Sequence, residues 1–92
     1  MPELTPDQIS AALPSLKDWK KSAATIGRTF QFKDFVAAMH FVNNVAKVAE
    51  EANHHPDIDI RWNKVTLHLT THSAGGLTQN DLNLAQKIDR LV

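Results

Sequence analysis

The chain has 92 residues, with 10 Lys plus Arg balanced by 10 Asp plus Glu and no cysteine. That length holds one hydrophobic core, so residues 1–92 are read as a single domain, and the charge balance supplies no field that would draw it to nucleic acid or to an anionic membrane. Without cysteine there is no disulfide framework, no thiolate metal site and no cysteine nucleophile, and no apolar run is long enough to span a bilayer. We therefore expect a soluble, cytoplasmic protein that binds neither nucleic acid nor membrane directly, and one that gains buried surface by assembling into oligomers.

Taken in chain order, Thr5-Pro6-Asp7-Gln8 combines an N-cap threonine, a proline at the first helical position and a glutamine placed to complete a capping box, with Leu4 and Ile9 spaced as a hydrophobic staple. A short helix follows and ends near Pro14. From Thr25 to Phe32, the residues Ile26, Phe30 and Phe32 alternate with Thr25, Gly27, Thr29 and Gln31, which predicts a strand with one buried face despite Arg28. Trp19 opens its hairpin partner. Asp34 is placed to cap a long helix, along which Phe35, Ala38, Met39, Val42, Val45, Ala46 and Ala49 recur at three- and four-residue steps as a core-facing stripe. Asn53 closes that helix, and Pro56 pushes His55 into an extended conformation.

Two half-buried strands come next: Ile58, Ile60 and Trp62 alternate with Asp57, Asp59 and Arg61, then Val65, Leu67 and Leu69 alternate with Thr66, His68 and Thr70. A two-residue turn at Asn63-Lys64 would set Trp62 opposite Val65, Ile60 opposite Leu67 and Ile58 opposite Leu69. Extended backwards, that register places His55 opposite His72, with His54 adjoining. Gly75-Gly76 turns the chain, and Leu77-Thr78 followed by Asp81-Leu82 marks a second capping box and staple for a last helix carrying Leu84, Ala85, Ile88 and Leu91. The tally is an α+β fold in which an antiparallel sheet of about four strands is covered by helices on one face.

Imidazole both donates and accepts protons near neutral pH, its ordinary pKa being about 6.5. A clustered pair can thus supply the acid and the base that expel water from a carbon bearing a hydroxyl beside an N–H. His54, His55 and His72 form that candidate cluster. Glu50, one helical turn before His54, is spaced to hold its imidazole. His40 lies off the apolar stripe of its helix, and His68 is roughly 14 Å from His72 along one strand, so both are read as structural or surface residues. A metal site is disfavoured, because adjacent residues of an extended segment point to opposite sides and no histidine pair sits at helical spacing. Ser73 lies in no nucleophile elbow.

The order Phe32-Lys33-Asp34-Phe35, Glu50, His54-His55-Pro56, Asn63-Lys64-Val65, Thr71-His72, Gly76-Leu77-Thr78 and Asp81-Leu82-Asn83-Leu84-Ala85 resembles the pterin-4a-carbinolamine dehydratase family over nearly the whole chain. The resemblance implies a four-stranded antiparallel sheet with helices packed on one face, assembled as homodimers or homotetramers, and a pterin pocket that uses no metal and no bound cofactor. His54 and His72 would be the acid and base that dehydrate 4a-hydroxytetrahydropterin to quinonoid dihydropterin, with His55, Glu50, Pro56 and Asp81 on the substrate-binding side. The implied setting is tetrahydropterin recycling beside an aromatic amino-acid hydroxylase. Family members also suggest two alternatives, a dimerization or coactivator module and a role in molybdopterin metabolism. Vertebrate members carry an aromatic residue where this chain has Ile58 and an arginine where it has Asn80, differences that bear on pterin affinity or assembly.

Overall fold

A computed structural model describes residues 2–92. Helix α1 (Pro6–Ala12) begins as its sequence predicts: the Thr5 hydroxyl accepts from Gln8 N, and the Gln8 side chain accepts from Thr5 N. A 3-10 turn, Leu13–Leu16, carries the chain past Pro14 to strand β1 (Lys20–Ser22) and then β2 (Thr25–Gln31). Asp34 caps helix α2 (Phe35–Ala52), its carboxylate accepting from Ala37 N at 2.8 Å. Strands β3 (Asp57–Arg61) and β4 (Lys64–Leu69), a 3-10 turn at His72–Ala74 and helix α3 (Gln79–Asp89) complete the order. No described helix is long and apolar enough to cross a membrane.

The four strands form one antiparallel sheet in the order β1-β2-β4-β3. Ile26, Phe30, Val65, Leu67 and Leu69 are buried on one face beneath the helices, while Thr29, Gln31, Lys64 and His68 on the other face are exposed. The β3–β4 turn lies one residue earlier than expected, at Trp62-Asn63. Ile60 faces Val65 and Ile58 faces Leu67, whereas Leu69 faces Ile26 of β2. The cause is Asn63. Its Nδ2 donates to the Phe32 carbonyl at 2.8 Å and its own carbonyl accepts from Phe32 N at 2.9 Å, which pins it to the end of β2 and leaves Lys64 to pair within the sheet. Trp62 takes the left-handed turn position (φ 53°) and stands 70% exposed. Ile58 and Ile60 are also exposed, because β3 is an edge strand lying beyond the helices' cover. The expected burial of this face is thus corrected.

The buried stripe of α2 is rotated from the expected one: Ala38, Phe41, Val45 and Ala49 are buried, whereas Phe35 and Ala46 are exposed. Phe41 packs against Phe30 and Phe32 with ring centroids 4.7 Å and 5.0 Å apart, and aromatic packing outweighs the simpler spacing rule at the helix start. Arg28 is accommodated on the buried side of β2 because its guanidinium lies 4.2 Å from the Phe30 ring centroid and Nη1 is 2.7 Å from Asp89 Oδ1. Asp89 Oδ1 also accepts from Trp19 Nε1 at 2.9 Å, so one carboxylate ties α3 to β2 and to the chain entering β1. Asp89→Ala leaves two partly buried donors without an acceptor and is expected to lower stability by about 2 kcal/mol in urea unfolding, whereas Asp18→Ala, at the exposed end of the same guanidinium (3.6 Å), costs under about 0.5 kcal/mol. Equal effects from the two variants would show that the Trp19 and Arg28 contacts to Asp89 contribute no more than a surface pair.

Candidate active site

The histidine pair is presented by the way α2 stops. Asn53 adopts the left-handed conformation (φ 51°), its N–H reaches the carbonyls of Ala49 and Glu50, and His54 N closes back on the Ala49 carbonyl at 3.1 Å. This reverses the chain so that His54 turns inward and His55 outward: their side chains are 13% and 58% exposed. Pro56 then commits the backbone to β3.

His54 meets a fully buried carboxylate. Asp81 is the third residue of α3, and its Oδ2 accepts from Thr78 N at 2.9 Å, completing the capping box that the sequence predicts. The same oxygen accepts from the Thr71 hydroxyl at 2.8 Å, and Oδ1 lies 2.5 Å from His54 Nε2. Thr71 Oγ1 is in turn 2.9 Å from Thr78 Oγ1, which accepts from Asn80 N at 3.3 Å. A buried carboxylate is tolerated when donors surround it, and the N-terminal turn of a helix is favourable ground for its charge. With Nε2 engaged, Nδ1 is the His54 nitrogen left to meet a substrate.

His72 is exposed in the 3-10 turn directly after Thr71, so the hydroxyl that holds Asp81 also anchors the loop bearing the second histidine. Thr71 N and the Gly76 carbonyl are 3.1 Å apart, and Gly75 (φ 75°) closes the turn between them. Gly76 is buried beneath Glu3, whose carboxylate a Cβ at that position would meet. The direct His55–His72 pairing expected from the hairpin does not form: with the turn at Trp62-Asn63, His72 lies beyond the ladder, and its loop reaches His54 through Thr71 and Asp81. Glu50 is also corrected. It engages His55 Nε2, on the solvent side, because the reversal at Asn53 carries His54 away from it. His40 and His68 are exposed and outside this group. Among the described residues, no three His, Asp or Glu side chains are arranged to hold a metal ion. A cleft of about 520 Å³ on the open face of the sheet, among Lys20, Gly27, Thr66 and His68, is separate from these residues.

Residues 2–91 match the sequence profile of the family described as pterin 4 alpha carbinolamine dehydratase. The chain belongs to that family. Among its relatives, provisionally named pterin-4-alpha-carbinolamine dehydratases, that of Acidobacterium capsulatum is 56% identical over 92 residues, covering 100% of both chains. That of Nocardia farcinica is 54% identical over 88 residues, covering 96% of this chain and 93% of its own. A crystal structure from Brucella melitensis, described as a transcriptional coactivator/pterin dehydratase, superposes with a TM-score of 0.92 at 36% identity over 97% of each chain. A pterin dehydratase-like protein identified as a RuBisCO assembly factor in the alpha-carboxysome shares the fold, with a TM-score of 0.65 at 20% identity over 79% of this chain and 84% of that one.

The local geometry separates two kinds of residue around the histidines. Asp81→Ala would strand the Thr71 hydroxyl, Thr78 N–H and His54 ring in one buried place, and a loss of about 2–4 kcal/mol in urea unfolding is expected. The exposed His55→Ala should stay within about 0.5 kcal/mol of the parent. If Asp81→Ala unfolded at the parent's urea midpoint, Asp81 would not organise these segments.

Proposed function

We propose that the chain dehydrates 4a-hydroxytetrahydropterin by histidine general acid–base catalysis, at a site built on His54, His72 and Asp81. The observation that carries this reading is the buried Asp81 carboxylate set against His54 Nε2 at 2.5 Å. His54 Nδ1 removes the proton from N5 of the pterin, and Asp81 stabilises the imidazolium that forms. The electron pair of the broken N5–H bond becomes the second bond of C4a=N5, and the C4a–O bond breaks. His72, exposed and free to approach substrate, protonates the departing oxygen, which leaves as water. The product is quinonoid dihydropterin. His55, paired with Glu50 at the rim, binds and orients the pterin, with Pro56 holding His55 in an extended conformation. Every step is a proton transfer coupled to elimination, so the proposal calls on no metal and no organic cofactor.

The product's chemistry fits tetrahydropterin recycling, in which a reductase restores the tetrahydro form after aromatic amino-acid hydroxylation. The Brucella melitensis relative is described as a coactivator as well as a dehydratase, and exposed Phe35 and Val36 on α2 would be available to a protein partner. The histidine variants separate the two roles. Dehydration followed by ultraviolet absorbance is expected to slow about a hundredfold or more in His54→Ala and in His72→Ala, while His55→Ala mainly raises KM. A wild type no faster than buffer would refute the dehydratase reading.

Self-association belongs to the same proposal. Edge strand β3 leaves a row of backbone groups unpaired and exposes Ile58, Ile60 and Trp62 beside them, a surface complementary to an antiparallel copy of itself. We expect an oligomer by light scattering, shifted toward monomer in Ile60→Lys. A monomeric wild type would remove this part of the proposal.

A further inference from the structure

The Thr71 hydroxyl bonds to neither imidazole, yet the hydrogen bonds around it run in one direction. The chain starts at α3. Asn80 N–H can only donate, and it donates to Thr78 Oγ1. Thr71 Oγ1 spends its single proton on Asp81 Oδ2 at 2.8 Å, so in its 2.9 Å contact with Thr78 Oγ1 it is the acceptor and Thr78 the donor. Asp81 Oδ2 already receives Thr78 N–H, and both of its donors come from the segment that opens α3 or from the loop before it. Each link therefore points toward the carboxylate, from Asn80 N–H to the Thr78 hydroxyl, to the Thr71 hydroxyl, to Asp81. Oδ1 is left as an acceptor for His54, which must present its ring proton on Nε2 and leave Nδ1 unprotonated in the neutral ring.

We propose that Thr71 is a positioning residue for the dehydration: through Asp81 it sets which His54 nitrogen carries the ring proton and which way the ring faces. The inference rests on the dehydratase reading above and extends it to a residue that lies outside the acid–base pair. It also explains why the two histidines, 18 positions apart, belong to one device. Thr71 immediately precedes His72, and its hydroxyl reaches the carboxylate that holds His54, so displacing the His72 loop also withdraws a donor from Asp81. The methyl group of threonine is not needed for this role. The hydroxyl is.

Three proteins decide the matter: wild type, Thr71→Val, which keeps the shape and removes the hydroxyl, and Thr71→Ser, which keeps the hydroxyl. Thr71→Val is expected to lower kcat about tenfold with KM within about twofold, and Thr71→Ser to recover to within about twofold of wild type. A structural role for the side chain's shape would give the opposite order. A second readout does not depend on turnover. In ¹H–¹⁵N spectra the His54 Nε2–H, held against a buried carboxylate, should appear as a slowly exchanging, downfield ring proton in the wild type and in Thr71→Ser, and should be lost or broadened in Thr71→Val. Wild-type kcat in Thr71→Val, a serine variant as slow as the valine variant, or an unchanged His54 ring proton in Thr71→Val would each overturn the proposal. If the wild type shows no dehydration, the functional reading fails separately, and the ring proton alone reports whether Thr71 holds His54.

Discussion

A carboxylate removed from water must be met by donors on every side it presents, and Asp81 meets that constraint by drawing three parts of the chain together. Thr78 N–H comes from the start of α3, the Thr71 hydroxyl from the loop after β4 and the His54 ring from the end of α2. The two threonines share the connection between β4 and α3, whereas His54 lies 27 residues from Asp81 along the chain. The start of the last helix, the path of the histidine loop and the orientation of the inner histidine are consequently parts of one arrangement.

That arrangement divides the site into a rigid half and an open half. His54 is held against the buried carboxylate, while His72 and the Glu50–His55 pair stand toward solvent. The proposed acid–base elimination would benefit from this division. In that proposal the group whose tautomer matters is held by packed neighbours, and the groups proposed to meet the pterin are exposed. The supporting shell is unusually dependent on threonine, because a hydroxyl can receive one proton and pass on another, and two in series carry a hydrogen-bond direction from a helix terminus to a side chain.

The sheet supplies the frame. Ile26, Val65, Leu67 and Leu69 lock β2 and β4 at its centre, and Arg28 stays within that layer through Phe30 and Asp89. At the edge, β3 keeps the alternation of a half-buried strand but has nothing packed over Ile58 and Ile60 within one chain. Alternation records which residues share a face. Whether that face is covered depends on where the helices end, which a period of two does not encode.

Signals that act over a few residues were legible in the sequence. The capping boxes at Thr5 and Thr78, the cap at Asp34, the reversal at Asn53 and the strand periodicities each depend on neighbours within about four positions, and together they determined the α+β class and the place of His54 at a helix end. Asp81 was readable as a capping residue for the same reason. Its second oxygen was not, because the partner is 27 residues away and is chosen by how α2 and α3 pack. The turn at Trp62-Asn63 escaped similarly: Asn63 is held by Phe32, 31 residues earlier, and that long-range pair of hydrogen bonds overrode the local preference for a turn at Asn63-Lys64. The exchange of partners by Glu50, from His54 to His55, followed from the direction in which the left-handed Asn53 sends the chain. Sequence by itself determined the elements and the residue types available for chemistry; tertiary packing decided which of them touch, since a buried polar group takes the donor that the fold delivers rather than the one nearest in the chain.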